Sequence, residues 1–350
     1  MHNVIERAAE AEAAVLGRHL GLLWALPGTR LGRDAWPQAM RHRMHAGWNY
    51  WWQAHLLDCL VDAQLRAPTP RRAGLVRGLA RGVWLRNRMR WINNYYDDMA
   101  WLALALHRAA AVTGMNTRRA VRRLSAELWS AWSTTEGGGI RWRRGTEYKN
   151  APANGPAAIL HARLGERDRA AAIAEWMTEC LVDPRTGLVF DGLAIYRDGR
   201  PAKLSRRIYT YCQGVYLGAC VELWSAQEPK WCDRAVRTID AVAEHLAPGG
   251  VLRGEGGGDG GLFPGILARY LADAAIRLPG EAAGTAANLV RTSAEACWHN
   301  AARVHGRPLF GPDWSQPLRI PFPEAARDLT VQLSGWMLLE AAARLDRAAR

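Results

Sequence analysis

The chain has 350 residues, 49% of them hydrophobic and 23% charged, enough to bury a substantial core and outside the range of disordered or fibrous proteins. Its formal charge of +13 is almost entirely arginine, since lysine occurs only at Lys149, Lys203 and Lys230. No block of five like charges occurs, which argues against a nucleic-acid tail and places the charge on solvated helix faces, with a field that would favour anionic partners such as a phosphate-bearing glycolipid.

In chain order, helical periodicity predicts a first helix over 4–23. Glu6, Glu10, Glu12 and Arg18 interrupt the apolar run a signal peptide would need, so a cytoplasmic protein is expected. Further helices are expected at 47–65, 71–87, 97–113, 117–133, 153–164, 167–181, 205–225, 229–246, 261–277, 281–300 and 326–347. No segment shows the sustained two-residue alternation of a half-buried strand, and no run of 18 apolar residues suggests a transmembrane helix. Between 118 and 132, Val121, Leu124, Leu128 and Trp132 form one stripe while Arg118, Arg119, Arg122, Arg123 and Glu127 face away, as in an outer helix. Between 99 and 111 the sequence is apolar almost all round, which requires cover on every side.

Twelve helices that alternate between these two kinds predict an all-α, (α/α)6 barrel, six inner helices covered by six outer ones, in a single domain over 1–350. Long glycine-rich links at 134–152, 183–204, 247–260 and 301–325 alternate with short ones. Gathered at one end they would form a cleft around the starts of the inner helices. The six cysteines show neither CxxC spacing nor a neighbouring histidine pair, so no metal site or disulfide framework is expected.

The sharpest local signal is Asp97-Asp98, two carboxylates at the mouth of the most apolar helix, after Asn93, Asn94, Tyr95 and Tyr96. Helix capping accounts for one of them. Two neighbouring carboxylates repel, so one keeps its proton to higher pH while the other stays ionised, which is the division of labour in a glycosidase. The 17 tryptophans against 4 phenylalanines offer flat faces suited to sugar rings, and equally suited to a core. The polar and aromatic loop 137–156 offers Trp142 for stacking and Lys149, Asn150 and Asn154 for sugar hydroxyls. Asp191, Tyr211, Gln213, Asp259 and Phe263 recur at the same kind of junction, before or at the start of an inner helix.

With these motifs the sequence resembles the endo-α-1,6-mannanases of glycoside hydrolase family 76. The similarity runs from about 48 to 339 and is carried by WNYWWQAHLLD at 48–58, YYDDMAWLALA at 95–105, GGIRW at 138–142, YKNAPANGPAAILHARL at 148–164, YTYCQGVYLGA at 209–219, DGGLFPGILARYL at 259–271 and QLSGWMLLEAA at 332–342. The resemblance implies retaining hydrolysis of α-1,6-mannosidic bonds through a covalent mannosyl-enzyme, without a cofactor or metal. Asp97 would be the nucleophile and Asp98 the acid/base, an order the sequence itself does not give. It also implies substrate contacts from Tyr96, Trp142, Lys149, Asn150, Asn154, Asp191, Tyr211, Gln213, Asp259 and Phe263, with Trp51, Trp52 and Trp336 in cleft or core. The expected partner is α-1,6-linked mannan or mannooligosaccharide, free or lipid-linked, met by a monomer that binds no nucleic acid. The competing readings are an α-mannoside transglycosylase, a mannan-binding protein without turnover, a basic helical scaffold for nucleic acid, and an epimerase of the N-acylglucosamine type. The last would need a cleft histidine, for which His299 and His305 are candidates while His107 and His161 resemble ordinary helix positions.

Overall fold

Helices that bury residues on every side alternate along the chain with helices that bury one face, and this alternation closes the molecule into two concentric rings. The computed structural model describes residues 3–196, 198 and 200–350. The inner ring consists of α3 (Tyr50–Arg66), α5 (Tyr96–Thr113), α7 (Ala151–Arg163), α9 (Thr210–Leu223), α11 (Phe263–Arg277) and α13 (Leu329–Ala348). Each packs on the next, and α13 returns to α3. The outer ring is α4 (Pro70–Arg86), α6 (Arg118–Ser130), α8 (Arg167–Leu181), α10 (Lys230–His245) and α12 (Glu281–Asn300), completed by α1 (Val4–His19), which packs on α13. The chain therefore begins with the helix that closes the outer ring.

Local chemistry explains the boundaries. Asn3 and Glu6 form a reciprocal capping box at α1, and Thr69 caps α4 with Pro70 in its first turn. α5 buries every residue from Met99 to Leu106 and ends at Gly114, whose φ of 68° lies in the left-handed region that glycine adopts without a Cβ clash. α6 buries Val121, Leu124 and Leu128 and exposes its arginines, the stripe expected of an outer helix.

All twelve expected helices are present, with ends within three residues of expectation except for two that are displaced further. The first stops at His19 because β1 (Leu20–Gly21) pairs with β2 (Leu31–Gly32). The eighth starts at Thr210 because 203–208 is a strand, so the expected start at 205 was wrong. That strand, β5 (Lys203–Ile208), belongs to a small antiparallel sheet with β3 (Tyr148–Asn150) and β4 (Phe190–Ala194). A short helix, α2 (Met40–Arg43), and a hairpin of β6 (Ala302–Val304) and β7 (Arg307–Leu309) were also not expected. These pieces are too short to show a period.

A repeated device fastens the connecting loops to the barrel. Gln53, Asn154, Gln213 and Gln332 are each the fourth residue of an inner helix, and each is fully buried. Each side-chain amide grips one residue of the preceding connection at both its N–H and its C=O. Gln53 holds Gly32 (2.7 and 3.2 Å), Asn154 holds Ile140 (2.7 and 2.8 Å), Gln213 holds Val189 (2.7 and 2.9 Å) and Gln332 holds Phe310 (3.2 and 2.9 Å). A buried loop has peptide groups with no ladder to join, and the clamp satisfies them. At the same end the inner helices approach closely. A Cβ on Gly214 would lie 2.9 Å from the Leu267 Cα, and one on Gly265 2.7 Å from the Ser334 Cα, so both positions require glycine.

At the opposite end charged groups line the bore around a cavity of about 340 Å³. Asp58 and Asp62 of α3 are paired with Arg108 of α5 and Arg269 of α11, while Arg163, Glu222, Asp273 and Arg344 bring in α7, α9 and α13. Each inner helix contributes a charge. One end of the barrel is thereby cross-linked by ion pairs, and the other, where the inner helices begin, carries the cleft.

Candidate active site

Five of the six inner helices start at the rim of one cleft of about 940 Å³. It is lined by residues at or before the starts of α3, α5, α7, α9 and α11, and loop 301–325, expected to contribute, does not reach it. Asp97 and Asp98 lie in the first turn of α5 on its floor. Tyr95 N-terminal to them is tied by its N–H to Asn93 Oδ1 (2.9 Å), and the Tyr96 N–H donates to the Trp142 carbonyl (2.9 Å), so the turn is fixed by the neighbouring loop.

The two carboxylates have different partners. Asp97 accepts from Trp142 Nε1 at Oδ2 (2.9 Å) and from the Asp98 backbone N–H at Oδ1 (2.9 Å). Asp98 accepts from Asn93 Nδ2 at Oδ2 (2.6 Å). Burial pushes the Asp97 carboxyl up to about 7 against these two donors, with Asp259 adding to the rise. Burial and the adjacent Asp97 push Asp98 well above the ordinary carboxylate range, and the single Asn93 bond offsets little of it. Asp98 is thus the carboxyl that holds its proton, and Asp97 the one that ionises first.

Aromatic walls face each other across the floor. On one side Phe263 and Tyr211 are stacked in parallel at 3.8 Å between ring centres, with Tyr209 edge-on to Phe263 at 5.3 Å and Trp51 at 6.3 Å. On the other, Trp142 lies between Tyr95 (5.4 Å) and Tyr148 (6.3 Å). Asp191, on β4, accepts a hydrogen bond from the Tyr148 hydroxyl, and Asp259 accepts from Trp52 Nε1 (2.9 Å). Burial raises the Asp191 carboxyl, while Tyr148 and Arg207 hold it down. Glu255 accepts from the Thr210 N–H (3.1 Å) and from Arg253 (3.0 Å). The lining carries five carboxylates, Asp97, Asp98, Asp191, Glu255 and Asp259, against one guanidinium, Arg207. It contains no histidine among the described residues; His299 and His305 are exposed elsewhere, which removes the support for an epimerase.

Of the residues expected to touch substrate, Trp142, Asn150, Asp191, Tyr211, Asp259 and Phe263 line the cleft, as does Trp51. The Asn150 Oδ1 is buried with no protein partner. Four expectations are corrected. Asn154 and Gln213 are the buried loop clamps. Lys149 is fully buried with its ammonium directed to the carbonyls of Ser133 (3.1 Å), Thr135 (2.5 Å) and Gly138, and Tyr96 is buried under the Arg144 guanidinium at 5.5 Å. None of the four lines the cleft. Trp336 is core, donating to Glu340 (3.0 Å). Sequence reasoning overlooked Asn93, Tyr148, Arg207 and Glu255. Asn93 stands inside the motif that carries the aspartates, which was the one available signal.

Residues 8–343 match the model of the family described as Glycosyl hydrolase family 76. The chain is similar to an α-1,6-mannanase from Salegentibacter sp. HEL1_6, with 34% identity, coverage of 98% of this chain and 100% of that one, and a TM-score of 0.86. An inactive variant of that mannanase, with two neighbouring aspartates replaced by asparagine and α-1,6-mannotriose bound, superposes with the same TM-score of 0.86, at 33% identity over 98% of this chain and 100% of that one. A mannan endo-1,6-α-mannosidase of Candida albicans is 26% identical over 169 residues, which is 42% of this chain and about a third (37%) of that protein's length.

Proposed function

The chain belongs to glycosyl hydrolase family 76, and from that membership and its cleft we propose that it is a retaining endo-α-1,6-mannanase acting by double displacement. The observation that carries the proposal is the unequal pair on the cleft floor. Asp97, ionised and held by Trp142 and the Asp98 N–H, attacks the anomeric carbon of a mannosyl residue. Its bond to the leaving 6-oxygen breaks as Asp98 donates its proton to that oxygen, and a mannosyl ester of Asp97 of inverted configuration forms. Asp98, now a carboxylate, takes a proton from a water, whose oxygen attacks the anomeric carbon and releases Asp97. Two inversions restore the α configuration. The positive charge that develops on the sugar between these states faces Asp191, Glu255 and Asp259, and the anionic lining favours it. The substrate fitting this cleft is a chain of α-1,6-linked mannose, free or carried on a lipid.

Rescue by azide separates the two roles. With an activated mannosyl leaving group, Asp98→Ala is expected to regain turnover in azide and release α-mannosyl azide, because Asp97 still forms the ester. Asp97→Ala, if rescued, is expected to give the β-azide by direct attack. The reverse assignment of products would overturn the roles of the two aspartates, and full activity of either alanine variant on mannooligosaccharides without azide would overturn the mechanism.

A further inference from the structure

Seven described non-glycine residues have positive φ, and five of them lie in three short segments beside the cleft: Trp24 (48°), Ala25 (60°), His45 (49°), Arg88 (57°) and Met89 (57°). The left-handed region crowds any Cβ, so backbone held there repeatedly on one face marks a surface fixed by its surroundings. Arg86, at the end of α4, ties the segments together. It donates to the His45 carbonyl from Nε (3.2 Å) and Nη2 (3.0 Å), and its guanidinium lies over the rings of Trp24 (5.8 Å) and Trp48 (5.1 Å). Trp24 Nε1 donates to the Met44 carbonyl (3.0 Å).

These segments display Leu22, Trp24, Leu26, Met40, Met44 and Met89, each between 37% and 70% exposed. They are six of the ten large apolar side chains exposed among the described residues. The surrounding charge has one sign. Residues 22–48 and 81–94 contain eight arginines and a single carboxylate, Asp34. Arg41, Arg43, Arg81, Arg88 and Arg90 are exposed, and no ion pair with a carboxylate is formed by any of them among the described residues. Scattered exposed apolar residues are ordinary. Exposed leucine, methionine and indole interleaved with arginines that form no ion pair are what an anionic bilayer surface selects, with apolar groups at the headgroup boundary and guanidinium groups on lipid phosphates.

We propose that this face, built from 22–26, 40–45 and 86–90, docks the protein on the surface of an anionic lipid bilayer. It is a peripheral contact, since no described helix is long and apolar enough to cross a membrane. Nucleic acid or an acidic polysaccharide would use the arginines but would leave the six apolar side chains unexplained. Trp48 and Asn87 line the cleft and border this face, so docking brings the cleft mouth near the headgroups. If the reaction proposed above holds, that placement suits mannose chains carried on lipid.

Cosedimentation of the full chain with phosphatidylcholine vesicles, with and without phosphatidylglycerol, tests the docking without reference to activity. Binding is expected only with the anionic lipid, weakening as salt is raised, with a blue shift of tryptophan emission. Arg88→Glu/Arg90→Glu is expected to lower the partition coefficient at least about tenfold, and Met40→Ser/Met89→Ser severalfold. Both variants should keep wild-type turnover of soluble α-1,6-mannotetraose, which also verifies their folding; Arg41→Glu/Arg43→Glu on the exposed α2 serves if the first pair does not fold. Absence of binding to anionic vesicles, or binding unchanged in the charge-reversed variant, would overturn the proposal. So would binding unchanged in the methionine variant, which would reveal a simple polyanion patch. Failure of the mannanase assay with intact vesicle binding would count against the reaction alone.

Discussion

Asp97 accepts two hydrogen bonds and Asp98 one from a side chain, and that difference assigns their proton states where adjacency in sequence could not. A hydrogen bond to a charged group contributes about 1.5–3 kcal/mol. Trp142→Phe keeps an aromatic face in the cleft and deletes only the donor to Asp97, so kcat should fall roughly 10- to 100-fold with little change in KM. In the proposed first step Asp97 is ionised and Asp98 protonated. The pH profile of kcat/KM should therefore rise as Asp97 ionises and fall as Asp98 does, with both limbs displaced upward from the ordinary carboxylate range. Removing the Trp142 donor moves the acid limb to higher pH, and an unmoved limb would mean that the indole does not act on Asp97. The pair and its aromatic neighbours were legible in the sequence because charge at the mouth of an apolar helix has few other uses. Their unequal surroundings were not, since these depend on Asn93 and Trp142 reaching across from other turns.

Among the elements, the helices were legible from their period and the inner–outer alternation from the width of each apolar stripe. The strands were not, because β3 and β4 are three and five residues long and their register is set by pairing with one another. The same limit misplaced Lys149, Asn154 and Gln213. A polar residue at a helix start beside an aromatic loop reads as a ligand for sugar, and nothing in its own neighbourhood reveals that it points back into the loop. A loop clamp has a consequence that a substrate contact would lack. Gln213→Ala leaves the Val189 N–H and C=O buried without partners and should lower stability by about 2–4 kcal/mol, measured as a shift in the urea midpoint with unchanged slope. Because Val189 leads into β4 and Asp191, activity at a temperature where the variant is folded should also fall. A loss of substrate affinity with no loss of stability would return Gln213 to the cleft.

For the whole molecule, the two ends of the barrel have opposite tasks. The starts of the inner helices hold loops and carboxylates for chemistry, while their far halves lock the ring through ion pairs that involve every inner helix. Buried pairs of this kind add little net stability over apolar packing, yet losing one partner is costly. Burial raises the Asp58 carboxyl, yet Arg108 and Arg269 outweigh it and hold it at about 2, below its value in the unfolded chain. A depressed carboxylate contributes stability that is full above the unfolded value, about 4, and is lost as the pH falls toward the folded one. Denaturant midpoints should therefore drop between about pH 4 and 2, and Arg108→Met should both destabilise the protein by about 3–5 kcal/mol and flatten that acid dependence. An acid slope identical to wild type would show that the network does not titrate with folding.

The most direct test of double displacement is the anomeric form of the first product released from α-1,6-mannotetraose, followed by proton NMR before mutarotation. Attack by Asp97 and then by water requires the new reducing end to appear as the α-anomer and to relax later toward equilibrium. First appearance of the β-anomer would mean a single displacement by water, and Asp97 could not then be the nucleophile.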